Sequence, residues 1–266
     1  MSMTIGSFGS IPVYLFGSIA SVGILLGLLM TRWMTRLYNE SFPFAVDVVI
    51  WGIPLGLIFG RIGHVFRFWE FFADSPEKIL YFWEGGFSPY GAGFGFVMAL
   101  LICCSKEGES FWHWMDIFAP AVSLMVVIYA FSGFFLQMTV GMPLPLDIPN
   151  DSALAEYVEY SYRPSGFEGY EYFKPVALYQ TGLMSVIFLI TVILSALQAS
   201  RNIMRDGRPA LIAVFLMALV RFGCGFFYLS TKSGLHMGQM AAIGVMVLCL
   251  ILFIMRRRKK IWSVYH

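Results

Sequence analysis

The sequence predicts an all-α integral membrane protein: about seven transmembrane helices with an outer-leaflet interfacial arm and a small extramembrane head. Three observations predict it. First, 58% of the 266 residues are hydrophobic and only 13% are charged, against roughly 25% charged residues in a soluble domain, so a water-facing surface cannot be assembled. Second, the apolar residues gather into about seven stretches near the roughly 20 residues that a helix needs to cross a bilayer. Third, lysine and arginine gather in alternate connections, as in a chain threaded repeatedly through a membrane. Aromatic residues make up 17% of the chain, with 26 Phe, so the excess is bulky as well as aliphatic.

The stretches run approximately Ile11 to Met30, Ala45 to Gly60, Ser88 to Cys104, Trp114 to Leu136, Pro175 to Gln198, Pro209 to Leu229 and Met237 to Met255. The first lacks a basic leading segment and a small-residue cleavage site, so it is expected to be a retained helix and not a signal peptide. Arg32, Arg36, Lys106, Arg201, Arg205, Arg208 and the tail from Arg256 to Lys260 fall on one side, and Arg61, Arg67, Lys78, Arg163, Lys174 and Lys232 on the other. The richer side is expected to be cytoplasmic, which puts the amino terminus outside and the carboxyl terminus inside a bacterial plasma (inner) membrane. Residues 1–266 read as a single polytopic membrane domain.

Two outer segments do not span. Residues 67–86 mix Phe, Trp and Tyr with scattered charge, the composition of an arm lying along the interface. Residues 142–173 carry Asp147, Asp151, Glu156, Glu159, Glu168 and Glu171, and form a small acidic head.

Ionisable groups at membrane depth are expensive and mark candidate sites. Arg61, at the outer end of the second stretch, is either an interfacial anchor or a contact for lipid phosphate. Arg221, past the middle of the sixth, is expected to meet a polar cavity or an intramolecular partner, with outward snorkelling as the alternative. Asp47 is expected to cap the second helix. The run from Gly85 to Gly95 is read either as close helix packing or as backbone lining a cavity. His64 and His113 are isolated at helix ends, and no metal site or cofactor is expected. Cys103, Cys104, Cys224 and Cys249 sit in apolar runs as small hydrophobes. With a net charge of +2 and no basic stripe with interleaved aromatics, no nucleic-acid partner is expected.

The segment GRIGHVFRFWEFFADSPEKILYFWEGGFSPYGAGFG resembles part of bacterial prolipoprotein diacylglyceryl transferases, where an arginine-containing helix end leads through an outer arm into Gly-Gly-x-Ser-x-His-Gly-Gly. KPVALYQ (Lys174 to Gln180) resembles that family's His-Pro-x-x-Leu-Tyr-Glu. VRFGCGFF followed by SGLHMGQ resembles its Arg-Phe-x-x-Glu-Phe-x-Arg helix and following Gly-Gln. The resemblance implies transfer of the diacylglyceryl group of phosphatidylglycerol to a lipoprotein cysteine. That reaction needs help in deprotonating the thiol, and donors for the departing phosphate.

At those positions the sequence departs from the pattern. Tyr90 stands at the family's histidine, and a phenol, with an ordinary pKa near 10, is a poor base. The signature Gly-Arg-x-Gly-Asn-Phe-x-Asn-x-Glu falls on Ala130 to Thr139, placing Phe131 and Phe134 at its arginine and first asparagine, Gln137 at the second asparagine and Thr139 at its glutamate. Gly225, Tyr228 and Lys174 replace a glutamate, an arginine and a histidine. The reading favoured is a phospholipid- or lipoprotein-binding subunit of a membrane assembly, a pseudoenzyme on the family scaffold. In it Phe131 and Phe134 fill the old site or face a helix or acyl chain. The alternative is an active transferase rearranged around Tyr90 and Arg221 as catalytic residues, with Arg61, Arg67, Arg221, Tyr179 and Lys174 binding lipid. A transporter or channel is weaker, because clustered intramembrane carboxylates are missing.

Overall fold

The computed structural model describes residues 4–8, 11–81, 85–135, 140–144, 155–160, 163–164, 166–229 and 236–258. Among them, seven helices are long and apolar enough to cross a membrane, and the protein is an all-α integral membrane protein. Gln137, Thr139, Asp147, Asp151, Lys232, Lys259 and Lys260 lie outside the described residues.

Two antiparallel strands, β1 (Thr4–Phe8) and β2 (Ile11–Tyr14), precede the first long helix, α1 (Leu15–Leu37). The first spanning helix therefore starts later and ends later than the apolar run alone indicates. Pro12 and the β-branched Ile11 and Val13 disfavour a helix there, and Thr and Arg residues extend the helix to a last turn holding Arg36. Next come α2 (Phe42–Arg67), the short α3 (Trp69–Ala73), α4 (Pro89–Glu107), α5 (Phe111–Phe135), α6 (Val176–Arg201), α7 (Arg208–Cys224) and α8 (Met237–Arg258). Ser41 and not Asp47 occupies the N-cap of α2, and Asp47 lies exposed inside that helix. The sixth apolar stretch is helical only as far as Cys224, after which Gly225–Phe227 tighten into a 3₁₀ turn. A glycine there lets the chain leave the α-helix.

The chain divides into two compact units, residues 1–121 with 195–207, and residues 122–194 with 208–266. In the first, α2 packs most extensively on α4. Gly52, Gly56 and Gly60 on α2, and Gly91, Gly95 and Ala99 on α4, recur every fourth residue, so each helix presents one small-residue ridge. A Cβ at Gly91 would collide with the Phe59 carbonyl and one at Gly95 with the Leu55 carbonyl, so the backbones touch. Close packing therefore accounts for Gly91 and Gly95 of the glycine run. Phe44, Trp114, Phe118 and Phe96 fill the space beside the crossing, with ring centroids of successive pairs 4.4, 6.1 and 5.2 Å apart.

In the second unit, α7 packs on α8 around Ala213, Ala218, Ala242 and Cys249, all buried. The two-residue strands β3 (Glu156–Tyr157) and β4 (Tyr172–Phe173) pair antiparallel. Residues 140–144 continue this ribbon: Pro143 bridges to Phe173 and Gly141 to Tyr228. Backbone hydrogen bonds from Lys174 N–H to the Met142 carbonyl and from Met142 N–H to the Phe227 carbonyl, each 3.0 Å, complete the ladder.

Candidate functional site

In the first unit the expected cation is Arg61. It is buried, at 4% exposure, and its guanidinium is directed at the backbone of the arm. Nε donates to the Ile79 carbonyl at 3.0 Å, Nη1 to the carbonyls of Gly85 at 2.6 Å and Gly86 at 3.3 Å, and Nη2 to the Lys78 carbonyl. The Phe72 ring stacks against it, 5.3 Å from centroid to Cζ. Neither snorkelling nor an isolated anchor describes this geometry. Arg61 clasps a segment that has few contacts of its own, formed from α3 and a 3₁₀ turn, Pro76–Leu80. Gly85 and Gly86 both adopt positive φ, 82° and 76°, which lets the returning chain turn their carbonyls onto the guanidinium.

The chain then enters α4 through Ser88, whose hydroxyl accepts from Gly91 N–H and whose own N–H donates to the Gly60 carbonyl at 2.9 Å. Tyr90 is half-buried in the first turn. Arg67 is exposed and lies over the Phe68 ring. His64 packs between Phe68 and Phe72. His113 is not isolated: its Nε2 lies 3.0 Å from Glu40 Oε1.

Sequence reasoning passed over Asp116, which is completely buried and accepts the Gly207 N–H on Oδ2 at 2.6 Å, while its carbonyl accepts from the Ser195 hydroxyl at 3.1 Å. It is the sole carboxylate of the fourth apolar stretch, a signal available without coordinates. Gln198 completes this knot, receiving Met204 N–H on Oε1 and donating from Nε2 to the Met204 carbonyl, both at 2.8 Å. Together they pin the loop between α6 and α7. Burial and the field of Asp116 push the nearby Tyr38 hydroxyl well above the usual phenol range.

In the second unit the site forms around Arg221. Its Nη1 donates to Gln180 Oε1 at 3.1 Å and to the Tyr228 hydroxyl oxygen at 2.7 Å; that hydroxyl in turn donates to Gln180 Oε1 at 2.6 Å. The guanidinium also lies over the Tyr228 ring, 5.0 Å from its centroid. The intramolecular partner required by an intramembrane arginine is thus a closed triangle with two neutral side chains. Both partners are neutral: Gln180 draws no attention in a search for charged groups, and Tyr228 stands out in the sequence only as the replacement for a motif arginine.

Gly225 stands where a Cβ would collide with the Gln239 side chain. Gln239 is itself buried, donating to the Phe222 carbonyl at 3.2 Å and accepting from His236 N–H at 3.0 Å. Beside the triangle, along α6 and α7, lies an apolar groove of about 530 Å³ whose lining includes Tyr179, Leu183, Leu219, Phe222 and Phe227. Lys174 is half-buried with its Nζ 5.8 Å from the Phe227 ring centroid.

Phe131 does not fill a core: it is 45% exposed and stacks edge-on with Phe135 at 5.0 Å. Phe134 is half-buried against the same ring. The helical period turns position 131 outward while burying its neighbour Ser132.

Between β3 and β4, Arg163 ties the ribbon to its loop, donating to the Val158 carbonyl at 3.0 Å and the Glu168 carbonyl at 2.9 Å. Burial pushes the Glu156 carboxyl up to about 7, whereas Glu168 is held below the usual carboxylate range by Gly166 N–H.

Comparison with known proteins adds an independent line. The family described as prolipoprotein diacylglyceryl transferase matches residues 3–255. Phosphatidylglycerol–prolipoprotein diacylglyceryl transferases of Bacillus cereus and Bacillus anthracis are each 28% identical to the chain over 258 residues, covering 94% of this chain and 90% of theirs.

Proposed function

Because the chain belongs to the prolipoprotein diacylglyceryl transferase family, we propose that it keeps that scaffold's grip on phosphatidylglycerol while the transfer chemistry has been lost. It then serves as a phospholipid- or lipoprotein-binding subunit of a bacterial plasma-membrane assembly. The observation that carries this reading is the Arg221 triangle beside the apolar groove: a cation oriented by Gln180 and Tyr228, next to a channel lined by Tyr179, Leu183 and Phe222. A guanidinium suits a lipid phosphate, and the groove suits an acyl chain. Lys174 and the exposed Arg67 are the further cations assigned to lipid. The loss of chemistry is read from Tyr90, a phenol where a thiol-transfer base is needed, and from Phe131, an outward ring where the signature has an arginine.

In this reading residues 67–86 lie along the outer leaflet and residues 142–173 form the outer head of one membrane domain. The amino terminus is outside and the carboxyl terminus is cytoplasmic.

The test uses purified protein in nanodiscs of phosphatidylglycerol with a lipobox peptide. Mass spectrometry follows the peptide cysteine, and native mass spectrometry follows retained lipid. Retained phosphatidylglycerol that is lost in Arg221→Ala, with no adduct on the peptide, is the expected result. A diacylglyceryl adduct that disappears in Arg221→Ala would instead establish an active, rearranged transferase that depends on Arg221.

A further inference from the structure

Three connections of the first unit meet at His113. Glu40 belongs to the turn between α1 and α2, Asp206 to the loop between α6 and α7, and His113 to the first turn of α5. The imidazole stands between the two carboxylates, with Nε2 3.0 Å from Glu40 Oε1 and Nδ1 3.9 Å from Asp206 Oδ2. Tyr38 packs edge-on against the ring, the centroids 5.3 Å apart, which holds the imidazole plane and keeps its two nitrogens aimed at opposite partners.

A neutral imidazole has one N–H and one lone pair. With the hydrogen on Nε2 and donated to Glu40, the Nδ1 lone pair confronts an Asp206 oxygen, two acceptors with no hydrogen between them. The 3.9 Å separation is too long for a hydrogen bond. A second proton supplies the missing donor, and the imidazolium then attracts both carboxylates at once. One proton therefore turns a contact between α5 and the α1–α2 turn into a bridge that also takes in the α6–α7 loop.

Asp206 has little else to hold it. Its Oδ1 accepts a long bond, 3.4 Å, from Gln198 Nε2, and its side chain is 44% exposed. The neighbouring anchors of the loop, Met204 on Gln198 and Gly207 on Asp116, reach α6 and α5. The His113 bridge extends to the turn between α1 and α2. The other titratable groups around the ring are Tyr38 from the end of α1, Asp116 one turn along α5, and Glu109, which accepts from Trp114 Nε1 just before that turn; Arg205 adjoins Asp206 in the loop.

We propose that His113 is a proton-operated latch, closed when both ring nitrogens are protonated, that fastens the α6–α7 loop to the turn between α1 and α2. The loop is the direct link between α6 and α7, the helices that bear Gln180 and Arg221. The latch stands apart from the lipid-binding reading, so each can fail without the other.

The experiment follows hydrogen exchange of the full-length protein in detergent from pH 5.5 to pH 8.5, corrected for the intrinsic pH dependence of amide exchange. That window lies above the ordinary carboxyl range and spans the usual histidine range. In the wild type, residues 202–207, and to a smaller degree 38–41, should be protected at the acid end. They should exchange about two- to fivefold faster at the alkaline end, where the imidazolium is lost, the scale of a partly exposed ion pair. His113→Gln donates to Glu40 but takes up no proton, and Asp206→Asn removes the second carboxylate; in both, residues 202–207 should exchange at the wild type's alkaline level throughout. Asp206→Asn alters the more exposed end of the bridge and carries the test alone if His113→Gln also loosens α2 and α4. A pH response of the loop that survives Asp206→Asn would assign it to another group around the ring and overturn the latch. So would a wild type without a pH response, or one in which 38–41 alone answers to pH.

Discussion

Arg61 and Glu156 show how far burial changes what a charged side chain does. Arg61 lies near the end of a helix of spanning length, where a long cation is ordinarily expected to reach for headgroups, yet it donates to four backbone carbonyls of residues 78–86. Removing it leaves those carbonyls without their donor, a cost of about 3 kcal/mol or more by the usual penalty for hydrogen bonds to charged groups. Arg61→Ala should therefore release residues 76–81 and 85–86 to rapid hydrogen exchange while α2 and α4 keep their protection. Unchanged exchange in the arm would refute the clasp. Glu156 poses the opposite problem, a carboxyl buried in the head ribbon and raised to about 7. Its folded-state value lies above that of the unfolded chain, so the protonated form is the one the fold favours. The head is fully stabilised below the ordinary carboxyl range and loses that contribution as pH climbs through about 7. Limited proteolysis of residues 155–173 should accelerate between pH 6 and pH 8 in the wild type. In Glu156→Gln it should stay slow across that range, and equal acceleration in both proteins would show that another group controls the head.

Packing of α2 on α4 is the clearest consequence at the level of elements. Two helices rising 1.5 Å per residue bring every fourth residue to the same face, so the glycine ridges meet along several turns. Gly91→Ala and Gly95→Ala push a methyl into a carbonyl of α2, whereas a Cβ at Gly93 meets nothing within 4 Å. Each of the first two should lower the thermal midpoint in detergent by several degrees, and Gly93→Ala, an exposed control, should not. Equal midpoints for all three would mean that the ridge does not bear on stability. This ridge was half legible beforehand, because Gly85 to Gly95 stood out in the sequence while its counterpart, Gly52, Gly56 and Gly60, was hidden within an unremarkable apolar stretch. Helix existence was legible throughout, since it follows from length and apolarity alone. Helix ends were not, because Pro12 and Gly225 act through backbone geometry that a hydropathy count ignores. The site was legible where a lone charge sits in grease, as with Arg221. It was hidden where a working partner is neutral, as with Gln180, whereas Asp116, the sole carboxylate of its apolar stretch, was visible there and reveals its role through its buried contacts.

For the molecule as a whole, the proposed direction of threading rests on the distribution of charge. In the proposed topology the seven helices of spanning length among the described residues each cross once and leave the termini on opposite sides, so one measurement on each class of connection tests it. Eleven of the eighteen Lys and Arg residues fall on the side that includes Arg32, Lys106, Arg201 and the tail. The short connections that hold them are where the positive-inside bias acts. The proposed topology assigns residues 67–86 and 142–173 to the other side, where Asp and Glu carry little weight in orientation. The native cysteines Cys103, Cys104, Cys224 and Cys249 are all buried, so introduced thiols can be read against a quiet background. Glu168→Cys, exposed in the head, should react with a membrane-impermeant maleimide on intact cells. Glu107→Cys, exposed at the end of α4, should react only after the membrane is opened. The reverse pattern would invert the topology, moving the arm held by Arg61 and the head carrying Glu156 to the cytoplasmic face. Any lipoprotein substrate or partner would then have to be met on that side, and the subunit reading would need a cytoplasmic partner.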